Sequence, residues 1–323
     1  MDIGEWSMNP MLCRVADAIY WLNRSIERAE NLSRFIDVNL MISMDMPAEI
    51  PEQWEPLILT TGDMEYFKEN YKDATRSNVI QFLTFDRNYH SSILSCLKQA
   101  RENARTVREI ISSEMWNQIN HFYHHVESSV NKRMSNPEKL GEFYAEIKTG
   151  SHLFTGIMDA TFSHSEGWEF GMLGRYLERA NQTSRILDMK YFYLLPSVDQ
   201  VGSTVDLLQW IALLKSVSAF EMYRKEFGKP DAVNIVNFLL FDRNFPRSVY
   251  KSLKMAEKSL SHITGSTGDH AHPAERELGK LRNDLKYTTT EEIFKNGLHE
   301  YLDKLQQRMN TVGVEIHNSF FSF

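Results

Sequence analysis

The chain has 323 residues, with 36 Lys and Arg against 43 Asp and Glu for a formal charge of -7; 42% of it is apolar and 24% charged. That balance excludes wholesale disorder and argues against generic adhesion to nucleic acid or an anionic membrane. Only 15 Gly, 9 Pro and 2 Cys are present, too few for a turn-rich β fold, a disulfide framework or a paired-cysteine metal ribbon.

The opening MDIGEWSMNPMLCR carries acidic residues where a secretory leader carries basic ones. No apolar run approaches the ~18 residues of a membrane helix. Cys13 and Cys96 both fall in helix-like stretches, which fits a reducing compartment, and the expected location is the cytoplasm. From Leu12, apolar or small residues recur at Val15, Ile19, Leu22, Ile26, Ala29, Ser33, Ile36 and Leu40, the three-and-four alternation of a long amphipathic helix. Pro47 and Pro51 end it. Further helices are expected at about 63–72, 76–85, 90–112, 114–134 and 138–162, and no segment alternates with period two. A glycine-bearing loop spans Thr264–Pro273.

Two windows repeat. Residues 20–37 align with 171–188 at an offset of 151, with 8 of 18 positions identical, and residues 78–89 align with 234–245 at an offset of 156, with 7 of 12 identical. The order is kept and the offsets nearly agree, so the expectation is an all-α, internally duplicated helical bundle. Its halves, about 1–165 and 166–323, would pack around a pseudo-twofold axis as one compact unit.

The residues shared by the first pair of windows are mostly ionic: Arg24, Glu27, Arg28, Arg34 and Asp37 are matched by Arg175, Glu178, Arg179, Arg185 and Asp188. Solvated surface charges exchange at little energetic cost, so their retention asks for a reason. Arg24, Glu27, Asn31 and Arg34 lie at helical spacings of three, four and three, as do Arg175, Glu178, Gln182 and Arg185. Three arrangements fit: an ion-pair ladder along each helix, a buried polar lock between helices, or a site where guanidinium forks hold a carboxylate or phosphate. Asp86-Arg87-Asn88 and Asp242-Arg243-Asn244 each follow an aromatic-rich run. Asp and Asn suit helix caps, whereas Arg87 and Arg243 are donors that a helix start does not need.

Arg101, Arg105 and Arg108 form a stripe of solvated type, and His121, His124 and His125 share one helix turn without further metal ligands nearby in sequence. Glu27-x-x-Glu30 resembles half of a carboxylate metal site, but the Glu-x-x-His of bundle di-metal proteins is missing, so neither metal nor cofactor is expected. Phosphate loops, dinucleotide fingerprints, nucleophile elbows and His-Glu-x-x-His are also missing.

MLCRVADAIYWLNRSIERAENLSRFIDVNL resembles the bacterial alpha-E domain family, and the likeness continues through FDRNYHSSILSCLKQARENARTVREIISSEMWNQIN, GMLGRYLERANQTSRILD and GLHEYLDKLQQRMNTVGVEI. Glu27, Arg28 and Glu30 match the family's glutamate-rich element, while Arg87, Arg243 and His90 stand where that family commonly has proline. The resemblance implies an all-helical protein encoded beside a circularly permuted ATP-grasp protein, often with a transglutaminase-like peptidase nearby. It points to a helical binding or accessory subunit of an amide-ligation or peptide-modification system. The alternative is a stand-alone enzyme using Glu27 or Glu178 as general acid or base on an anionic substrate. Candidate ligand- or partner-binding residues are Arg24, Glu27, Arg28, Glu30, Arg34, Asp86, Arg87, Arg175, Glu178, Arg179, Arg185, Asp242 and Arg243.

Overall fold

The computed structural model describes residues 11–45, 52–130, 137–192, 202–265 and 272–322. Met46–Pro51, with both helix-ending prolines, residues 131–134 of an expected helix, and residues 266–271 of the glycine-bearing loop lie outside them. Among the described residues the regular structure is helical and no strand occurs. The first helices are α1 (Cys13–Asp45), α2 (Glu55–Thr61), α3 (Met64–Asn70), α4 (Arg76–Ile80), α5 (Ile93–Thr106), α6 (Ser113–Glu127) and α7 (Pro137–Thr161). The others are α8 (Glu166–Phe192), α9 (Thr204–Ser216), α10 (Phe220–Phe227), α11 (Ala232–Phe241), α12 (Val249–Thr264), α13 (Pro273–Tyr287), α14 (Thr290–Asn296) and α15 (Leu298–Phe320).

Helix starts follow the side chains that accept from their first amides. Ser92, Ser112, Asp231 and Ser248 each accept the backbone N–H three residues on, and Thr289 with Glu292 forms a reciprocal capping box. The Ser92 cap explains why α5 starts three residues later than the expected 90. Its other end comes early too, because residues 107–110 form turns rather than helix. α4 continues into a single π turn, Gln81–Phe85, which closes when the Asp86 N–H donates to the Gln81 carbonyl at 2.9 Å.

α1 and α8 form the centre. Hydrogen bonds between their N-terminal halves join residues 150 to 155 apart, from Met11–Glu166 to Arg28–Glu178, so the two helices run parallel and in register there. α5 and α7 pack on α1, and α12 and α15 pack on α8; α6 spans α5 and α7, and α13 spans α12 and α15. α2 crosses over to α8, and α9 crosses back to α1. One apolar core runs through Ala29, Ile36, Leu173, Ala180, Leu253 and Leu302, residues drawn from both ends of the chain. α1 and α8 come close because α8 has glycine at the crossing: a Cβ on Gly174 would stand 2.5 Å from the Tyr20 carbonyl oxygen.

Candidate functional site

Register between two parallel helices decides what their charged residues meet. Glu27 on α1 faces Arg179 on α8, whose Nε and Nη2 both donate to it at 2.8 Å, while Arg175 Nε stands 3.6 Å away. Reciprocally, Glu178 on α8 accepts Arg28 Nε at 2.7 Å, Arg28 Nη2 at 3.0 Å and Arg24 Nε at 2.9 Å. Each Glu-Arg dipeptide thus gives its carboxylate to the opposite helix and takes that helix's carboxylate with its arginine. Of the three arrangements that fitted the stripe, the lock between helices is present, alongside the intrahelical links Arg34–Glu30, Asn31–Glu27, Gln182–Glu178 and Arg185–Asn181.

The Glu27 brace is closed. Arg247, just before α12, donates through Nη1 to Glu27 at 3.2 Å and to Asn31 at 3.0 Å, and pairs with Glu30 through Nη2. Glu30 also accepts Arg34 Nη2 at 2.7 Å and Ser151 Oγ at 2.9 Å, with His152 Nε2 at 3.1 Å. Arg247, Ser151 and His152 were invisible to repeat reasoning: Arg247 lies two residues beyond the second window, and the two α7 residues belong to no motif. The Glu178 brace is open. It forms one wall of a cavity of about 590 Å³ that is also lined by Tyr20, Asp63, Tyr89, Ser91, Asn181 and Arg185, within the usual range of small-molecule sites.

Burial alone would push all three carboxyls up. For Glu178, Arg28 and Arg24 with their hydrogen bonds outweigh it and hold the group well below the usual carboxylate range. Arg179 and Arg247 likewise hold Glu27 down, and Arg247, the His152 hydrogen bond and Arg34 hold Glu30 down. Since the folded values lie below the ordinary 4.5, this stabilisation is fully present above that pH and is lost as pH falls through the folded values. Thermal melts from pH 7 to pH 3 should therefore show the melting temperature falling below about pH 4.5, with a shallower fall in Glu27→Gln; equal slopes would remove Glu27 from the linkage.

Other candidates lie elsewhere. Asp86 and Asp242 each accept the backbone N–H groups two and three residues on, closing the turn before the next helix. Arg87 and Arg243 are exposed, the first 3.6 Å from Glu127 and the second over the Tyr250 ring. The structure does not bring these four to the braces. His125 pairs with Glu146 and His124 with Glu127. Among the described residues no group of three or more His, Cys, Asp or Glu is arranged to hold a metal, and no helix is long and apolar enough to cross a membrane. Cys96 is buried, which pushes its thiol up to about 12 and leaves it a packing residue.

Residues 11–321 match Alpha-E, described as "a predicted alpha-helical domain with a conserved ER motif". The chain belongs to the Alpha-E family. Two of its Glu-Arg dipeptides, Glu27-Arg28 and Glu178-Arg179, are the reciprocal brace, which supplies a physical reason for such a motif: in parallel helices in register, adjacent Glu and Arg pair crosswise. Uncharacterised proteins of Mycobacterium bovis and Mycobacterium tuberculosis are similar, each 22% identical over 312 residues covering 90% of this chain and 34% of the relative. This Alpha-E chain thus spans about a third of the length of the curated relatives it matches. No solved structure gives a significant match.

Proposed function

We propose that this Alpha-E chain is a binding subunit rather than a catalyst, and that it serves a separate ATP-grasp amide ligase in the cytoplasm. The observation that carries the first part is saturation of the Glu-Arg carboxylates. Glu178 takes four N–H donors from Arg24, Arg28 and Gln182, and Glu27 is held by Arg179, Arg247 and Asn31. A general acid must carry a proton near working pH, and a general base must be free to take one. These groups are fixed anions whose work is to hold arginines in place. The ligase part rests on the sequence resemblance alone.

We also read residues 1–165 and 166–323 as duplicated halves about a pseudo-twofold axis. Supporting this, α5 and α7 lie on α1 as α12 and α15 lie on α8, and the crossing helices α2 and α9 exchange partners. The binding role is tested by pull-down with the neighbouring ATP-grasp protein, followed by ATP turnover with and without this chain. Stable association with altered turnover is expected. No association at micromolar concentration would sink the ligase assignment.

A further inference from the structure

At the repeat offsets, Ser91 corresponds to Arg247 and Asn181 to Glu30. The closed brace therefore contains a buried guanidinium and carboxylate where the open brace has two short neutral side chains beside a cavity of about 590 Å³. The surrounding partners are kept. Arg185 Nε donates to Asn181 Oδ1 at 3.0 Å, just as Arg34 Nε donates to Glu30 Oε1 at 3.0 Å. Arg28 points Nη1 toward Ser91 Oγ at 3.5 Å, a weak contact for a half-buried guanidinium.

Two further positions change in the direction of polarity. At the offset of 156, Asp63 stands where the closed side has Ala219, and Tyr89 where it has Phe245. The Tyr89 hydroxyl donates to Asp63 Oδ2 at 2.5 Å, and both line the cavity. A surface that merely lost an ion pair would have no physical need for a new carboxylate and phenol. Arg185 Nη1 reaches the Thr60 and Thr61 carbonyls, which sets the guanidinium beside the turn that presents Asp63. The cavity wall thus holds cationic donors, Arg28 and Arg185, and an anionic acceptor, Asp63, with Trp21, Phe35 and Val314 as apolar surface.

We infer that this cavity binds a zwitterion of the amino acid or short peptide class, its carboxylate received by Arg185 and Arg28 and its ammonium by Asp63. The inference rests on the duplication and on the binding role proposed above. The closed side has one anion and one cation where this side has Asn181 and Ser91; Arg185, the counterpart of Arg34, is left to receive a carboxylate, and Asp63, which has no anionic counterpart on the closed side, supplies an acceptor for an ammonium. A lone anion or lone cation leaves one set unmet.

The test uses the full chain and a library of dipeptides with free termini, its N-acetylated form, its C-amidated form, and the free amino acids, with retention read by ultrafiltration and mass spectrometry. Members of the free-termini library or the free amino acids are retained, the two arms separating peptide from amino acid, and blocking either terminus lowers retention at least about tenfold. Ser91→Arg with Asn181→Glu rebuilds the closed pair and abolishes retention while the chain still melts cooperatively. Should that double variant fail to fold, Arg185→Met replaces it, with at least about a tenfold loss expected. Absence of retention at millimolar ligand, equal retention of blocked forms, or retention surviving these substitutions would overturn the inference. Undiminished association with the ATP-grasp protein in such a result would leave the subunit role standing.

Discussion

Glu27→Gln should destabilise the protein by about 3–5 kcal/mol, the range for breaking one partner of a buried charge pair. Two buried arginines, Arg179 and Arg247, and the half-buried Arg175 lose their common anion, while the amide that replaces it can satisfy few of their donors. For a chain of this length the loss corresponds to a melting temperature lower by roughly 4–7 °C. Had the stripe been a solvated ladder along α1, each pair would contribute only about 0.2–0.5 kcal/mol, so a loss under about 1 kcal/mol would return the stripe to the surface. Because the Glu27 brace is closed, ligand retention at the open brace should survive in whatever fraction remains folded. Glu178→Gln should lower both stability and retention, since its carboxylate orients Arg24 and Arg28 in the cavity wall.

Gly174→Ala should cost about 1–3 kcal/mol, the usual range for overpacking, although alanine in a helix interior gains about 1 kcal/mol in propensity over glycine. The obstacle is backbone, the Tyr20 carbonyl at 2.5 Å from the new Cβ, and relief requires α1 and α8 to separate along the line where both braces sit. Gly156→Ala is the control: nothing lies within 4 Å of its Cβ, so the same chemical change should stabilise α7 by about 0.5–1 kcal/mol. Chemical denaturation of the two variants reads both signs at once. A stabilised Gly174→Ala would mean that the central helices are not in close contact at this crossing.

The long central helix was legible because its apolar residues keep the three-and-four spacing from Val15 to Leu40, although its burial is not periodic: every residue from 29 to 40 is buried between neighbouring helices, and Leu12 is exposed. α2 was not expected, since Glu55–Thr61 is too short for periodicity and its place depends on packing against α8. The π turn at Gln81–Phe85 has no composition of its own; its closing bond belongs to the backbone. At the site, the repeat singled out Glu27, Arg28, Glu178 and Arg179, but spacing along a helix says only which residues share a face. It took the parallel register of α1 and α8 to show that each carboxylate crosses to the other helix. Arg247 stands two residues beyond the second window with Ser91 at the matching place, so likeness between the windows does not mark it.

The central claim is that Glu27, Glu30 and Glu178 are permanent anions that hold arginines, with no proton to exchange near neutral pH. A carbon-13 NMR titration of the glutamate side-chain carboxyls tests it most directly, with Glu→Gln variants assigning the three signals. All three should remain ionised at pH values where ordinary glutamates, near 4.3, are already half protonated. A midpoint above about 5 for any of them would contradict the fixed brace and restore acid–base chemistry as the function of the Glu-Arg motif.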